Sequence, residues 1–295
     1  MTGPERGFAL LCSRMGDPNR KVLTTAQFRN LTHRMRAAQI PAVDRDLTPA
    51  DLMAIGYGRQ EAAHIVGLLS EEDRLDWYLK KAEKAGCGLI TLFSHHYPRA
   101  LEQRLGTDAP ALLWYRGDLS VLEGPRIGLV GSRDLFPENE AFARQAGVQA
   151  ARQGFTLVSG NARGADRTGQ NAALVSGGKV ISVVADQLDR HYPREGMLYL
   201  SEDSFDLEFS AHRALSRNRL IHSLGTATLV AQTRLKQGGT WDGSVKNLRF
   251  GWNPLYCFDD GSAGSRMLTQ MGASLIKMEQ LEHLASLSPG QTTLY

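Results

Sequence analysis

From residue 125 onward, short and nearly continuous apolar runs alternate with amphipathic helical segments, and this pattern constrains the fold most strongly. Runs of this length are more typical of strands than of helices, and they lack the polar alternation of strands that face water. We therefore expect a parallel sheet that helices bury on both faces. The expected strands are 126–130, 155–158, 180–184, 228–231, 255–258 and 273–276, preceded by two short candidates at 88–92 and 112–115.

The N-terminal part of the chain has a helical pattern instead, with apolar residues at near-helical spacing and a charged segment that ends at Gly86. We expect a helical domain over 1–84, an α/β domain over 85–278, and a C-terminal tail over 279–295. The tail is expected to be a short helix with a flexible end, without a winged-helix domain.

Residues 52–65 resemble a helix-hairpin-helix, in which Gly56 and Gly58 form the sharp turn. Backbone amides of such a turn can contact a DNA phosphate. A purely structural turn between two helices explains the pattern equally well.

Composition excludes several classes of protein. The net charge of +3, from 34 basic and 31 acidic residues, is too small to indicate a nucleic-acid binder, although a local basic pocket remains open. Cys12, Cys87 and Cys257 fit neither a disulfide framework nor a zinc-ligand spacing, and no metal site is expected. No apolar run approaches the roughly 18 residues of a membrane span, and no signal peptide is recognisable. We expect a cytoplasmic protein with no membrane contact.

Polar, glycine-rich segments follow the first two strands of the predicted sheet. The segments are 131–133 (GSR) and 159–166 (SGNARGAD). Glycine permits a close backbone approach, and amides at a helix N-terminus together with arginine can hold a phosphate. Ordinary tight turns are the alternative interpretation of each segment alone.

Two later segments could add to the same site. Three arginines lie within 213–219, before an expected buried strand at 220–222; Arg217 and Arg219 cannot share one helical face, so one could meet a ligand while the other pairs with a carboxylate. In segment 237–243, Thr240 could cap a helix, and Trp241 is better explained as core than as a base-stacking residue. The candidate anion-binding residues are Gly131, Ser132, Arg133, Ser159, Gly160, Arg163, Gly164, Arg217, Asn218, Arg219, Gly238, Gly239 and Thr240.

In their order and spacing, these segments resemble the DprA/Smf family of DNA-processing proteins. The resemblance covers roughly residues 50 to 276. The segments that carry it are 89–92, 97–98, 112–118 (LLWYRGD), 127–133 (IGLVGSR), 158–166 (VSGNARGAD), 188–193 (LDRHYP), 217–221 (RNRLI) and 272–273.

The resemblance implies a Rossmann-like, doubly wound, mostly parallel sheet preceded by a small SAM-like or helix-hairpin-helix-like domain. It further implies a non-enzymatic homodimer that binds single-stranded DNA without a cofactor, protects it, and helps load a RecA-type recombinase in natural transformation or recombination. The family's phosphate-contacting positions correspond here to Gly131, Ser132, Arg133, Ser159, Gly160, Arg163, Arg217 and Asn218.

The chain departs from the family pattern at two places. Ala214 stands where the family usually has phenylalanine, which removes a stacking or packing contact, and 238–243 (GGTWDG) replaces the usual segment after the fourth strand. Two alternatives therefore stay open: a nucleotide-binding sensor, for example in a defence system, and a phosphoribohydrolase-type enzyme. For the enzyme, Gly238 to Thr240 could form the phosphate loop, but Asp242 is a poor catalytic acid and no arginine–glutamate pair is evident.

Overall fold

The computed structural model describes residues 2–38 and 46–287. Within these ranges, nine strands form one sheet, and twelve α-helices surround it. The strands are β1 Gly88–Thr91, β2 Leu112–Gly117, β3 Arg126–Val130, β4 Thr156–Ser159, β5 Lys179–Val183, β6 Met197–Ser201, β7 Ala227–Val230, β8 Leu255–Phe258 and β9 Ser274–Ile276. The helices are α1 Gly3–Cys12, α2 Thr25–Ala37, α3 Pro49–Ala54, α4 Arg59–Leu69, α5 Glu72–Lys84, α6 Arg99–Leu105, α7 Pro137–Arg152, α8 Ala165–Val175, α9 Ala211–Ser216, α10 Asn218–Leu224, α11 Gly238–Phe250 and α12 Ala263–Gln270.

The strand order is β1-β2-β6-β5-β4-β3-β7-β8-β9. The seven strands from β6 to β9 along this order pair in parallel, and β2 pairs antiparallel with both β1 and β6. The chain winds from β3 through β4 and β5 to β6 on one side, and it returns to β7 on the other side of β3. In such sheets, ligands bind outside the carboxyl ends of the strands where the winding reverses. This topology therefore places the site beyond β3, β4 and β7.

The expected α/β fold with a doubly wound, mostly parallel sheet is confirmed, and two local predictions fail. The sequence analysis missed β6, all five residues of which are buried. The expected strand at 220–222 is wrong, because these residues lie in α10, where Leu220, Ile221 and Leu224 are buried. This short helix contacts α6, α11 and β3, so it is apolar nearly all round and lacks the periodicity of an amphipathic helix.

The N-terminal helices pack against the β1–β2 edge of the sheet. Tyr78 of α5 contacts Trp114 of β2 edge to face at 5.3 Å between ring centroids, and it also contacts Phe205 at 4.9 Å. A single apolar core includes residues of α1 and of β9. The domain division at residue 84 stays a prediction.

The two helices and the turn of the expected helix-hairpin-helix at 52–65 form from α3 and α4, with Gly56 at a φ of +89° in the turn. The amides of Gly56 and Tyr57 donate to the carbonyls of Met53 and Leu52. Arg34 donates to the Gly56 carbonyl at 2.9 Å and stacks on the Tyr57 ring. Since these two amides are used within the turn, this conformation does not offer them to a DNA phosphate.

The cysteines, the helices and the C-terminal tail can be compared with the remaining predictions. All three cysteines are free and buried. No helix among the described residues is long and apolar enough to cross a membrane. The tail begins with a 3-10 segment over 278–287, and its expected flexible end lies outside the described residues.

Candidate nucleic-acid interface

Two adjoining cavities, each of about 530 Å³, lie at the carboxyl ends of the parallel strands. The first lies beyond β3 and the start of α11, and the second lies over the loop that follows β4. Five lining residues are common to both: Arg133, Ala162, Phe209, Ala214 and Arg217. The two cavities therefore form one depression, here called the carboxyl-edge groove, at the position that the strand order indicates. Ten of the thirteen predicted residues line it: Gly131, Ser132, Arg133, Gly160, Arg163, Arg217, Asn218, Gly238, Gly239 and Thr240.

The loop after β3 is fixed to the neighbouring strand end. The backbone amide of Ser132 donates to the Gln232 carbonyl at 3.0 Å, and the Ser132 hydroxyl is directed to the same oxygen at 3.3 Å. The Thr240 hydroxyl donates to the Gly131 carbonyl at 2.9 Å, which ties the start of α11 to this loop. Both donors of Ser132 thus have internal partners, and Thr240 lies in the first turn of α11, whose N-cap is Gln237.

The loop after β4 packs directly on the loop after β3. Gly164 has a φ of +84°, and a Cβ at this position would overlap the carbonyl oxygens of Ser132 and Arg133. The Ala165 amide donates to the Ser132 carbonyl at 3.2 Å. Ser159 is fully buried at the end of β4. Gly164 and Ser159 therefore shape the groove from behind, without lining it.

Three arginines on these two loops and on the first turn of α8 present their charge to the groove. Arg133 is exposed and forms no salt bridge within the described part of the chain. The Arg163 side chain is 71% exposed and pairs with Asp134 at 2.5 Å. Arg167, in the first turn of α8, is also exposed and donates to the Asn161 carbonyl at 3.3 Å. An exposed ion pair contributes only about 0–1 kcal/mol, so Arg163 can exchange Asp134 for a phosphate at little cost.

Arg217 is different, because its side chain is buried although it lines both cavities. Only 8% of the residue is exposed, and its Nη1 donates to the Val183 carbonyl at 2.5 Å. Burial lowers the pKa of Arg217, while the carboxylates of Asp166 and Asp186 act in the opposite direction. A Cβ at Gly160 would overlap this guanidinium, so glycine is needed there. One donor, Nε, is buried without a partner among the described residues.

Asp166 lies beneath this guanidinium and is itself buried. Burial raises the pKa of Asp166, and the positive charge of Arg217 opposes the rise. One carboxylate oxygen accepts the Ala162 amide at 3.2 Å, so Asp166 closes the loop ahead of α8. In this structure Asp166 holds the loop and places a negative charge near the arginine.

The other two residues of the RNR segment have internal partners. Arg219 Nη1 donates to Glu202 at 2.5 Å, and Arg219 does not line the groove. Arg217 and Arg219 face different sides, as expected; Arg219 is the one that pairs with a carboxylate, and the structure does not bring it into the groove. Asn218 Nδ2 donates to the Gly239 carbonyl at 3.0 Å and joins α10 to α11.

Sequence reasoning missed several groove residues, including the exposed Arg167, Arg234 and Phe209. Arg167 follows the predicted loop by one position, so its helical register after Gly164 was the available signal. Phe209 precedes α9, is 57% exposed and lines both cavities, and no sequence feature marked it. Ala214 lies in the wall of both cavities as well, so the groove is open where the family usually has phenylalanine. Trp241 packs against the core, as expected.

A histidine–carboxylate pair lies beside the second cavity. His191 Nε2 is 2.9 Å from Asp186, and its ring stacks on Tyr199 with centroids 4.9 Å apart. Burial acts to raise the pKa of Asp186, but the hydrogen bond and the charge of His191 leave it below its usual value. Among the described residues, no group of three or more histidine, cysteine or acidic side chains could hold a metal ion.

The fold and the groove together define a Rossmann-like protein with an arginine-lined groove at its topological switch point. A family model described as DNA recombination-mediator protein A matches residues 88–286, and the chain belongs to this family. The resemblance to DprA/Smf proteins is thereby confirmed.

Individual relatives agree with this assignment. The DNA processing protein DprA of Streptococcus pneumoniae is 31% identical over 186 residues, which are 59% of this chain and 66% of that protein. A crystal structure of the DprA of Streptococcus pneumoniae has a TM-score of 0.71 at 25% identity, and it covers 90% of this chain and 94% of that one. The structure of DNA processing protein A from Helicobacter pylori, described for its single-stranded DNA binding mode, has a TM-score of 0.59 at 22% identity and covers 70% of this chain and 99% of that one.

Proposed function

We propose that the carboxyl-edge groove binds single-stranded DNA and that the chain protects this DNA and helps load a RecA-type recombinase on it. The observation that carries the proposal is the convergence of three exposed arginines on one groove at the switch point of the sheet. Family membership and the single-stranded DNA binding described for the Helicobacter pylori relative support it.

The electrostatics of the groove suit a phosphodiester backbone. Arg133 and Arg163 lie on two loops that touch each other, and Arg167 lies in the first turn of α8 directly after the second loop, so their charges act on neighbouring points of one ligand. Each phosphate contact on a single strand contributes about −0.7 to the slope of log K against log salt concentration. Three contacts therefore give a slope of about −2.

We further propose that the protein is not an enzyme and that it acts as a cytoplasmic homodimer without a cofactor. Asp242 is the candidate catalytic acid of the phosphoribohydrolase alternative. In support of a non-enzymatic role, its carboxylate is paired with Lys246 at 2.8 Å on α11, and both side chains are partly exposed. Exposed arginines can hold phosphates without any catalytic group, and phosphate binding is what a mediator requires. Release of free base from nucleoside monophosphates by the purified chain would contradict this part of the proposal.

The binding claim is tested by fluorescence anisotropy of labelled oligothymidine, single-stranded and annealed, at several salt concentrations. The variant Arg133→Ala/Arg163→Ala is compared with Arg144→Ala, which removes an exposed, ion-paired arginine from α7. We expect salt-sensitive binding to the single strand, at least about tenfold weaker in the double variant and unchanged in the control. Equal losses in both variants, or no binding by the folded parent, would contradict the proposed site.

The partner claims need separate measurements. Sedimentation at micromolar concentration tests the homodimer, and assembly of a RecA-type recombinase on oligothymidine, with and without the chain, tests loading. We expect faster assembly with the parent protein than with the double arginine variant. No acceleration, despite tight DNA binding, would leave a binding protein that is not a mediator.

A further inference from the structure

Phe209 has an unusual position for a large apolar side chain. It is 57% exposed, and it contributes to the walls of both cavities. Among the residues that line the groove, it is the only phenylalanine, tyrosine or tryptophan. It has no aromatic partner in the described part of the chain, so one ring is presented to the groove without internal stacking.

The backbone on both sides of Phe209 is held in place. The Arg213 guanidinium donates to the carbonyl of Glu208, and its Nε also pairs with Asp203 at 2.9 Å. The hydroxyl of Ser210 accepts the Arg213 amide at 3.1 Å and caps α9. The residues directly before and after Phe209 are thus both fixed to Arg213. A ring on such a segment loses less freedom on binding than a ring on a mobile loop.

Positively charged side chains surround the ring of Phe209. Arg133 lies in the walls of both cavities together with Phe209, and Arg163 and Arg167 lie in the wall of the second. Single strands are bound by grooves that combine cations for the backbone with aromatic rings for the bases. The small side chain of Ala214, in the same two walls, leaves space beside the ring.

We propose that Phe209 is a base-stacking platform of the carboxyl-edge groove, placed so that a nucleobase lies on its ring while the flanking phosphates meet the loop arginines. This inference rests on the proposed function and adds the contact that distinguishes a nucleic acid from any other polyanion. Base–aromatic stacking tolerates every base, so the platform adds affinity with little sequence preference.

The test compares oligothymidine with an abasic strand of the same length, which keeps the phosphates and lacks the bases. The variants are Phe209→Ala and Phe209→Tyr, and the matched control is Phe250→Ala. Phe250 is 59% exposed but lies at the end of α11, before the amino end of β8 and on the opposite edge of the sheet.

We expect Phe209→Ala to bind oligothymidine roughly 5- to 100-fold more weakly, because a stacked base is lost. Phe209→Tyr and Phe250→Ala should stay within about twofold of the parent. Binding of the abasic strand and the salt slope should not change in Phe209→Ala, since both depend on the arginines. Thymidine monophosphate at the same nucleotide concentration should compete poorly.

Each contrary result has one meaning. Unchanged oligothymidine binding by Phe209→Ala, or equal losses on both strands, would overturn the stacking assignment while leaving the groove as the DNA site. Competition by thymidine monophosphate as effective as that of the oligonucleotide would assign the ring to a free nucleotide instead. Failure of the parent protein to bind either strand would overturn the proposed function itself.

Discussion

Two sets of arginines lie at the same edge of the sheet and have opposite surroundings. Arg133 and Arg163 project from loops into solvent, and neither donates to a backbone carbonyl among the described residues. Arg217 and Arg219, on the adjoining α9–α10 segment, are held by the Val183 carbonyl and by Glu202. The residue type is the same in the two sets, so burial and internal partners decide which arginines are available to a ligand.

The physical reason is the cost of a buried charge. A guanidinium removed from water must find internal partners, whereas a loop arginine at the surface keeps its hydration until a ligand displaces it. The RNR segment therefore shapes the groove, although Arg217 keeps a buried Nε without a partner among the described residues. We propose that the loop arginines, rather than Arg217, make the ligand contacts.

The largest expected effect is on stability and concerns Arg217. Arg217→Ala removes the donor to Val183 and leaves the buried Asp166 without its nearest positive charge. We expect the free energy of unfolding to fall by about 3 kcal/mol, measured by urea denaturation. The matched change Arg133→Ala should leave the unfolding midpoint unchanged. A fully stable Arg217→Ala protein that has lost DNA binding would show instead that Arg217 belongs to the ligand set.

The close contact between Gly160 and Arg217 allows a second test of the buried arginine. Gly160→Ala forces the guanidinium away from its place, and we expect a loss of about 2 kcal/mol in the free energy of unfolding. In the Arg217→Ala background, the same substitution should cost much less, because the overlapping group is gone. Additive costs in this double-mutant cycle would show that the strain at Gly160 arises elsewhere.

His222 is also buried at this edge of the sheet, and its burial makes the free energy of unfolding depend on pH. Burial lowers the pKa of His222 from an ordinary 6.5 to about 3. Between pH 6.5 and pH 3, the unfolded state therefore binds a proton at this histidine and the folded state does not. The free energy of unfolding should therefore decrease as the pH falls from 7 to 5, by about 2 kcal/mol for this group. His222→Asn should flatten that decrease by this amount. An equal pH dependence in parent and variant would mean that His222 is protonated in the fold.

The smallest expected effect concerns Arg219. Its pair with Glu202 is partly exposed, so Arg219→Ala should lower the free energy of unfolding by about 1 kcal/mol. DNA affinity should stay within about twofold of the parent, as measured by anisotropy. A stable variant with tenfold weaker DNA binding would show that Arg219 is a site residue, as the RNR motif predicts.

The sheet and the location of the groove could be predicted from the sequence, because buried parallel strands are nearly uniform apolar runs and glycine-rich loops mark their ends. The strand β6 and the helix α10 could not, because both are short and buried on all sides, and an apolar run of that length fits either structure. Burial of Arg217 was equally hidden, since its partners Val183 and Asp166 are distant in sequence.

The position of Phe209 in the groove could not be predicted from the sequence either. Its sequence neighbours are ordinary polar residues, and only the folded chain brings its ring between the two cavities. Conversely, the pattern at 52–65 predicted the turn correctly, but sequence alone could not show that the Gly56 amide already has a partner.

The central claim is that DNA lies across the carboxyl-edge groove, and cross-linking addresses it most directly. Oligothymidine containing 5-iododeoxyuridine is irradiated with the full chain, and the attached peptides are identified by mass spectrometry. We predict attachment within 131–134, 160–167 and 209–217, suppressed by unlabelled single strand and by high salt. Attachment confined to α3 and α4, or to the face that carries Phe250, would contradict the account.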